Sequence, residues 1–565
     1  MKNKELYVYR IKSNKWWYVL KIYIYQFFGY KVFVWGEHNL PIRNYTPIKF
    51  PSAINSVEYE PKARKLANDY FLAFKDRWKG NIYRLDYIRK TLDISILDYY
   101  AFEMAVSELA TPDSHIKKIS PRLLYAIHNN THPPVPVNFF VITVYLQLLI
   151  KLIFKLIRDL YLDLSFKNKI PVPKIIFFRK KPYPDLGECS YLCNKINTKN
   201  HNYIQGVYPI SSKHREKFGF YFLNSFEGMN KRFVQAFMDT LIQSFADLVY
   251  YFKNGVDVYI FERCVMDTYT ANIFSRMSPS VICGILVDKP IYILFYKNKN
   301  TNTKIVSLNE TFIFPPYRTF DFNHLDRYYS MNSIDEKVQN NYGGRIDSFK
   351  RVEFFRDVPG ISNGISSELS DTLKKYKYCI VLTPCQVFVE KTGFGYWAYS
   401  ELESFFKSSL GLAKQMPETL FIVKGKKGEL RLLPKWFQDL DQNNPNIFVI
   451  HCEKPRELES NRFENLIEIA DLTISMALTS TTIWQSIAKN KPVIAINMTQ
   501  CPSILANYKG YESSLSEIRK NIIYWRGLSK SETFDSIKKM KKDFNIGQSD
   551  GLSQIALDLK RFIDQ

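Results

Sequence analysis

The stretch Ala470-Asp471-Leu472-Thr473-Ile474-Ser475-Met476-Ala477-Leu478-Thr479-Ser480-Thr481-Thr482-Ile483 decides the fold. An apolar strand, Leu472 to Met476, runs into a hydroxyl-rich turn, Thr479 to Thr482. A helix is expected over Ile483 to Lys489, then Lys491-Pro492 and a second apolar strand, Val493 to Ile496. Such a strand–turn–helix–strand unit puts its polar turn at the carboxyl end of a strand. That is the edge where open α/β sheets bind ligands. Hydroxyls and backbone N–H groups at a helix N-terminus suit an anion such as a phosphate. The same residues would also serve as plain helix caps in a buried unit.

The flanking sequence repeats the pattern. Tyr378 to Leu382 reads as a buried strand followed by Thr383-Pro384-Cys385-Gln386. A Gly-containing loop (Lys391 to Tyr396) and a helix from about Glu401 to Gln415 come next. Leu420 to Val423 is a second strand, ending at Lys424-Gly425-Lys426-Lys427. Pro434 to Leu440 reads as a helix. Ile447 to Ile450 is a third strand, ending at His451-Cys452-Glu453, and a helix over Arg462 to Ala470 leads back to the opening stretch. Alternating strands and helices predict a parallel, doubly wound sheet. Its carboxyl edge would gather Thr383, Gln386, Lys424, Lys426, Glu453, Thr479, Ser480, Thr481 and Thr482, a set suited to a phosphorylated ligand. There is no Walker A sequence and no GxGxxG, which counts against ATPase and dinucleotide readings. The tail, about 513–562, reads as helices.

Upstream, Phe233 to Phe252 reads as a helix. Val256 to Phe261, Val281 to Val287 and Ile291 to Tyr296 read as strands, with Glu262-Arg263 closing the first and Asp288-Lys289-Pro290 between the other two. A chain of 565 residues is too long for one core. Three regions are therefore expected: a basic, aromatic lobe over 1–200, a first α/β lobe with its connection over 201–375, and a C-terminal Rossmann-like lobe over 376–565.

The net charge of +23 is unevenly spread. Residues 376–565 hold 25 Lys and Arg against 21 Asp and Glu, which leaves 53 against 34 in residues 1–375. A basic, aromatic region suggests nucleic acid or an anionic membrane surface. No RNA-binding signature or regular zinc-finger spacing is present. Residues 15–35 are aromatic and cationic and read as strands and turns rather than a signal peptide. Val135 to Ile150 is uncharged but shorter than the roughly 20 residues that span a bilayer. With Lys151, Lys155 and Arg158 following, residues 135–164 suit a helix lying in the membrane interface, or else a buried core helix. The chain is expected in the cytoplasm, attached to the inner face of a membrane. Eight cysteines are scattered. Cys189 and Cys193, with His128 and His132 far away, read as thiols rather than a zinc site. No metal site is expected.

Two α/β lobes, the second ending in helices, resemble the GT-B architecture of glycosyltransferases. The segment from Asp471 to Ile483, with Lys491-Pro492-Val493-Ile494, is similar to bacterial surface-carbohydrate biosynthesis proteins that carry an ADL-I-S-M-x-x-TST strand and turn. With the Lys424 and Thr383 strand ends, the resemblance covers about 180 residues. It implies an enzyme without a cofactor, whose C-terminal lobe binds a nucleotide-sugar donor and whose acceptor is a glycan or lipid-linked glycan. Capsule or lipopolysaccharide synthesis would be the setting. Two positions depart from that pattern: Lys424-Gly425-Lys426-Lys427 lacks a histidine, and Gln485 stands where many such enzymes hold the donor ribose with a glutamate. A hydroxyl-rich phosphate loop with no ribose-binding glutamate points to a CMP-linked, Kdo-like acid.

Loss of a sugar leaves negative charge on the nucleotide phosphate, which lysines and a helix N-terminus can stabilise without a metal. A general base or nucleophile is expected at a strand end of the first lobe. The candidates are Glu262, ranked first, Asp267 and Asp288, with Glu37 behind them. Arg345 is a candidate for a phosphate or acidic sugar. The alternatives are a nucleotide-sugar epimerase on the same fold, a non-catalytic scaffold for polysaccharide assembly, and a nucleic-acid-binding protein.

Overall fold

A computed structural model of the chain describes residues 4–9, 16–35, 44–48, 56–74, 82–111, 114–119, 127–129, 138–165, 169, 171–172, 174–178, 192, 202–203, 220–221, 226–254, 258–285, 290–308, 323–341, 345–353, 364–384, 399–424, 440, 444–450, 463–476, 481–497, 504–546 and 551–564. The chain opens with β1 (Lys4–Tyr9), α1 (Trp16–Phe27), β2 (Lys31–Trp35), β3 (Tyr45–Pro47), α2 (Ser56–Phe74), α3 (Ile82–Leu109) and β4 (His115–Ile119). The middle supplies α4 (Asn138–Ser165), β5 (Ile175–Phe178), α5 (Met229–Asn254), α6 (Val258–Met277), β6 (Val281–Ile285), α7 (Ile291–Asn298), β7 (Lys304–Leu308), β8 (Arg327–Ser330), α8 (Ser333–Asn341) and β9 (Phe349–Arg351). Then come α9 (Ser367–Leu373), β10 (Tyr378–Thr383), α10 (Tyr399–Gln415), β11 (Thr419–Lys424), β12 (Ile447–Ile450), α11 (Phe463–Ile469), β13 (Leu472–Ser475), α12 (Thr481–Ala488), β14 (Val493–Ile496), β15 (Glu512–Ser513), α13 (Ile518–Gly527), α14 (Lys530–Asp543) and α15 (Gly551–Asp564).

These elements form two compact units. The first comprises Met1–Ala63, Leu97–Leu124 and Pro359–Gln548, the second Arg64–Ile96, Tyr125–Val358 and Ser549–Gln565. This corrects the contiguous division at 200 and 375. The chain passes between the units within α2 and within α3, and its last helix belongs to the second unit.

In the first unit, a six-stranded sheet runs β12-β11-β10-β13-β14-β15, every neighbouring pair parallel. That is the doubly wound order 3-2-1-4-5-6. The apolar runs explain it. Cys379 to Leu382, Leu420 to Val423 and Val493 to Ile496 are buried residue after residue, as parallel strands covered on both faces must be. A second parallel sheet, β3-β2-β1-β4, is built from the N-terminal segments. Residues 15–35, read as strands and turns, form α1 followed by β2.

In the second unit, five parallel strands follow chain order, β9-β8-β7-β6-β5. The terminal helix α15 closes one face. Its Leu552, Ile555, Leu559 and Ile563 share a core with Ile175, Val281, Val306 and Tyr329. Two strand expectations fail here. Val258 to Phe261 begins the 20-residue helix α6, and Ile291 to Tyr296 lies in α7. Helix α6 packs lengthwise on α5, so its apolar start is buried helix, a reading that a short apolar run does not distinguish from strand.

Candidate functional site

The first unit's sheet changes winding direction between β10 and β13. From β10 the chain adds β11 and β12 on one side, then returns to place β13 on the other. The carboxyl ends of β10 and β13 flank this switch point, the position where doubly wound sheets open a crevice. The register pairs Thr383 with Ser475, the last residue of each strand. Thr482, in the first turn of α12, meets both. Its Oγ1 lies 3.3 Å from Thr383 Oγ1 and donates to Ser475 Oγ at 3.4 Å. Thr383 Oγ1 also lies 3.3 Å from the Ile474 carbonyl oxygen as a donor. Three hydroxyls from two strands and a helix thus converge beneath the N-terminus of α12, whose first N–H groups have no carbonyl partner within the helix. Thr481 and Thr482 are half-buried there.

Several contacts fix the angle of α12. Ser486 Oγ approaches Thr473 Oγ1 on β13 at 3.2 Å. Trp484 is fully buried and packs on Phe544 with ring centroids 4.9 Å apart. Lys541 of α14 donates to the Ala488 carbonyl at 2.8 Å. The helix closes with Asn490 at φ 58, Lys491 N–H bonding to Ser486 O and Asn490 N–H to Ile487 O. That is a Schellman ending with asparagine in the left-handed position. Lys491 then donates to the Glu468 and Ala470 carbonyls at the end of α11, so it clamps a helix end. Asp471 ties β13 to β10 through the Cys379 N–H at 2.8 Å. Both quoted motif residues are thus architectural.

Gln485 is buried and donates Nε2 to Glu464 Oε1 at 3.2 Å. Glu464 is exposed, in the first turn of α11. Position 485 is therefore bonded to a carboxylate, contributed by a different helix and held by the glutamine. Its only sequence signal was its position in the first turn of the helix after β12. Lys424 is half-buried at the carboxyl end of β11, beside β10. Gln386, Lys426, Glu453, Thr479 and Ser480 lie outside the described residues, as do Glu37, His132, His451, Cys189, Cys193, the Lys391 to Tyr396 loop and most of the helix expected at 434–440.

The carboxylates nominated in the second unit are placed differently from expectation. Glu262 is in α6, not at a strand end, and pairs with Lys151 of α4 at 2.5 Å. Asp267, one turn on, accepts from Tyr87 Oη at 2.8 Å and lies 3.9 Å from Arg263. Burial and the neighbouring Asp267 push the Tyr87 hydroxyl well above the ordinary tyrosine value. Asp288 follows the carboxyl end of β6 in the chain but is outside the described residues. Arg345 is half-exposed, 3.6 Å from Asp86 Oδ2, with His324 Nε2 2.9 Å from the same oxygen. It begins the short strand Arg345–Ile346, which pairs with His324–Leu325 and leads into β9. Arg345 thus sits at the amino end of its strand line, the wrong edge for the ligand role expected of it. At the carboxyl end, Ser330 Oγ donates to Glu336 at 2.7 Å and Arg351 grips the same carboxylate with two bonds of 2.8 and 2.9 Å. The Arg351 guanidinium holds Glu336 below the usual carboxylate range. Glu336 was hidden in a stretch read as a connection.

Among the described residues no group of three or more His, Cys, Asp and Glu could hold a metal ion. No family model and no curated protein matches the chain. Among solved structures, it is similar to S. aureus MnaA with UDP (TM-score 0.42, 10% identity, covering 69% of this chain and 97% of that one). It is similar to Anabaena Alr3699/HepE in complex with UDP and glucose (TM-score 0.41, 10% identity, 70% and 100% covered). A UDP-glucosyltransferase from Polygonum tinctorium matches with TM-score 0.39 and 10% identity, over 70% and 99% of the two chains.

Proposed function

We propose that the chain is a glycosyltransferase that draws its sugar from a nucleotide-activated donor bound at the switch point of the first unit. The observation that carries this is the convergence of Thr383, Ser475 and Thr482 under the N-terminus of α12. Hydroxyls and N–H groups at a helix start suit a diphosphate or phosphodiester. Lys424, one strand away, adds a cation. As the glycosidic bond breaks, charge grows on the departing phosphate, and these fixed groups stabilise it without reorganising. The acceptor is a lipid-linked or growing surface glycan at the cytoplasmic face of the membrane. Asp288 is the candidate general base for its hydroxyl, because it is the nominated carboxylate that comes next in the chain after a strand of the second unit's sheet.

The donor base is left to the titration below. A CMP-linked acid is suggested by the hydroxyl-rich loop and by the absence of a glutamate at position 485, and the second of these reasons is weakened by Glu464, 3.2 Å from Gln485 Nε2. A carboxylate accepts hydrogen bonds from a ribose diol whichever base is attached.

The test is thermal melting of the full chain with CMP, UDP, GDP and ADP, repeated on Thr482→Val and Lys424→Ala. One nucleotide should raise Tm, by mass action, and the shift should shrink in both variants relative to their own unliganded melts. If no nucleotide moves Tm, the donor reading fails and the scaffold reading takes its place.

A further inference from the structure

Helices α4 and α5 pack side by side in the second unit. Their inward faces are ordinary core: Leu148 and Leu152 on α4, Phe233, Ala236 and Thr240 on α5, all buried. Their outward faces are not ordinary surface. On α4, Leu146, Ile150, Phe154, Ile157 and Tyr161 recur at helical spacing, and Phe154 and Tyr161 are 67% and 71% exposed. On α5 the outward series is Val234, Met238, Ile242, Phe245 and Val249, with Ile242 at 70% and Phe245 at 61%. These ten side chains offer on the order of 1,000 Å² of apolar surface, beyond the few hundred Å² that a monomer usually exposes in one patch.

The charge around them is one-sided. Lys231 is exposed, Arg158 is exposed although it reaches Asp159 at 3.2 Å, and Lys151 is exposed but paired with Glu262 of α6 at 2.5 Å. The acids of the two helices are turned inward or neutralised: Asp159 and Asp163 are buried, Asp247 is buried against Arg84 at 2.6 Å, and Asp239 is gripped by Arg276 through two bonds of 2.8 Å. Lys155 keeps its stem among the helices, its ammonium 4.6 Å from the centroid of the Tyr269 ring. No helix among the described residues is long and apolar enough to cross a membrane. A broad apolar face whose carboxylates are buried or paired, with Arg158 and Lys231 at its margin, fits a surface that is apolar within and anionic at its rim.

We infer that the paired outward faces of α4 and α5 dock the protein onto an anionic lipid bilayer, lying in its interface. The aliphatic and phenyl groups enter the headgroup–acyl boundary, while Arg158 and Lys231 meet the lipid phosphates. Sequence pattern alone marked α4; the matching stripe on α5 emerges only when the two helices are seen packed together. The inference stands apart from the donor reading, since every residue in it belongs to the second unit.

The test is co-sedimentation of the full chain with phosphatidylcholine vesicles, with and without phosphatidylglycerol. It is repeated on a variant carrying Ile150→Gln, Phe154→Gln, Ile242→Gln and Phe245→Gln. All four side chains point outward, so the variant should fold, which its melting curve and nucleotide titration without lipid will show. Wild type should bind the anionic vesicles, more weakly in high salt, and the variant should bind at least about tenfold less. Helix α1 of the first unit also exposes Ile24 and Phe27, with Phe28 exposed just after it. Undiminished binding in the variant would therefore assign docking elsewhere and overturn the inference. So would a wild type that ignores both vesicle types. A wild-type dimer that becomes monomeric in the variant, with no lipid binding by either, would show that a second copy of the chain covers this face.

Discussion

Replacing Asp558 by asparagine should weaken the second unit by about 3 kcal/mol. Asp558 sits on the buried face of α15, 3% exposed, and accepts from Arg327 Nη1 at 2.6 Å, Lys350 Nζ at 2.8 Å and Tyr329 Oη at 2.9 Å. Arg327, Tyr329 and Lys350 lie on β8 and β9, so this one carboxylate pins the last helix to the edge of the sheet. Two charge-assisted bonds are each worth roughly 1.5–3 kcal/mol, and the neutral one about 1 kcal/mol. The sum must be discounted, because the side chains of Arg327 and Lys350 are 24% and 30% exposed and water replaces part of what they lose. Asparagine keeps the shape but presents an amide N–H₂ to a cluster of donors. Burial alone would raise the Asp558 carboxyl, but bonds from Lys350, Arg327 and Tyr329 outweigh it and hold the group below the usual carboxylate range. Its contribution is therefore complete above the unfolded carboxylate value and disappears as pH falls through the lower folded value. Urea unfolding of both proteins across a pH series should show the gap closing in acid. Hydrogen exchange at neutral pH should quicken roughly a hundredfold in peptides from β6 to β8 and α15, with β10 to β14 unchanged. A gap under about 0.5 kcal/mol, the range of an ordinary surface substitution, would refute the account.

Burial pushes Lys155 down to about 8. The folded lysine thus releases its proton before the unfolded one does, and stability rises with pH between that value and the ordinary lysine value. Lys155→Met should melt above wild type at pH 7, with the gap narrowing towards about pH 10; a gap independent of pH would count against a buried cation. Gln485→Glu sets a second carboxylate where Gln485 Nε2 now lies 3.2 Å from Glu464 Oε1. Like charges so close should cost about 1–2 kcal/mol at neutral pH and less in acid, as one carboxyl keeps its proton; an unchanged melting temperature would show that the two side chains do not meet.

The fold of the first unit's large sheet was legible because its strands are buried on both faces. Runs such as Tyr378 to Leu382 and Val493 to Ile496 have no other use in a chain with helical periodicity on either side, and the observed strands fall where they were expected. The middle of the chain was harder for a physical reason. Val256 to Phe261 reads as an apolar strand, yet Val258 to Phe261 stands at the head of a helix that buries Ile260, Phe261, Cys264, Val265, Tyr269 and Phe274. A helix packed by neighbours on several sides loses the amphipathic period that would reveal it. The return of α15 to the second unit leaves no local signal, since an amphipathic helix specifies a partner face but not which sheet supplies it.

The site divides along the same line. Hydroxyls at strand ends are set by chain order, so Thr383 and Thr482 could be nominated from sequence and are brought within 3.3 Å. Partners set by the packing of separate helices could not. Glu464 and Gln485 stand on α11 and α12, linked by β13, and neither residue alone marks the pair. The glutamine that looked like a lost carboxylate holds one instead. That exchange moves the charge from the helix that starts at the hydroxyl cluster to the one before it, and leaves the first turn of α12 free of acidic residues. A carboxylate in that turn would compete with an incoming phosphate for the same N–H groups. On the neighbouring helix it can meet neutral hydroxyls of a ligand while the anion site stays positive. On the proposed donor reading, this division of labour would seat the phosphate at α12 and leave the sugar hydroxyls to α11.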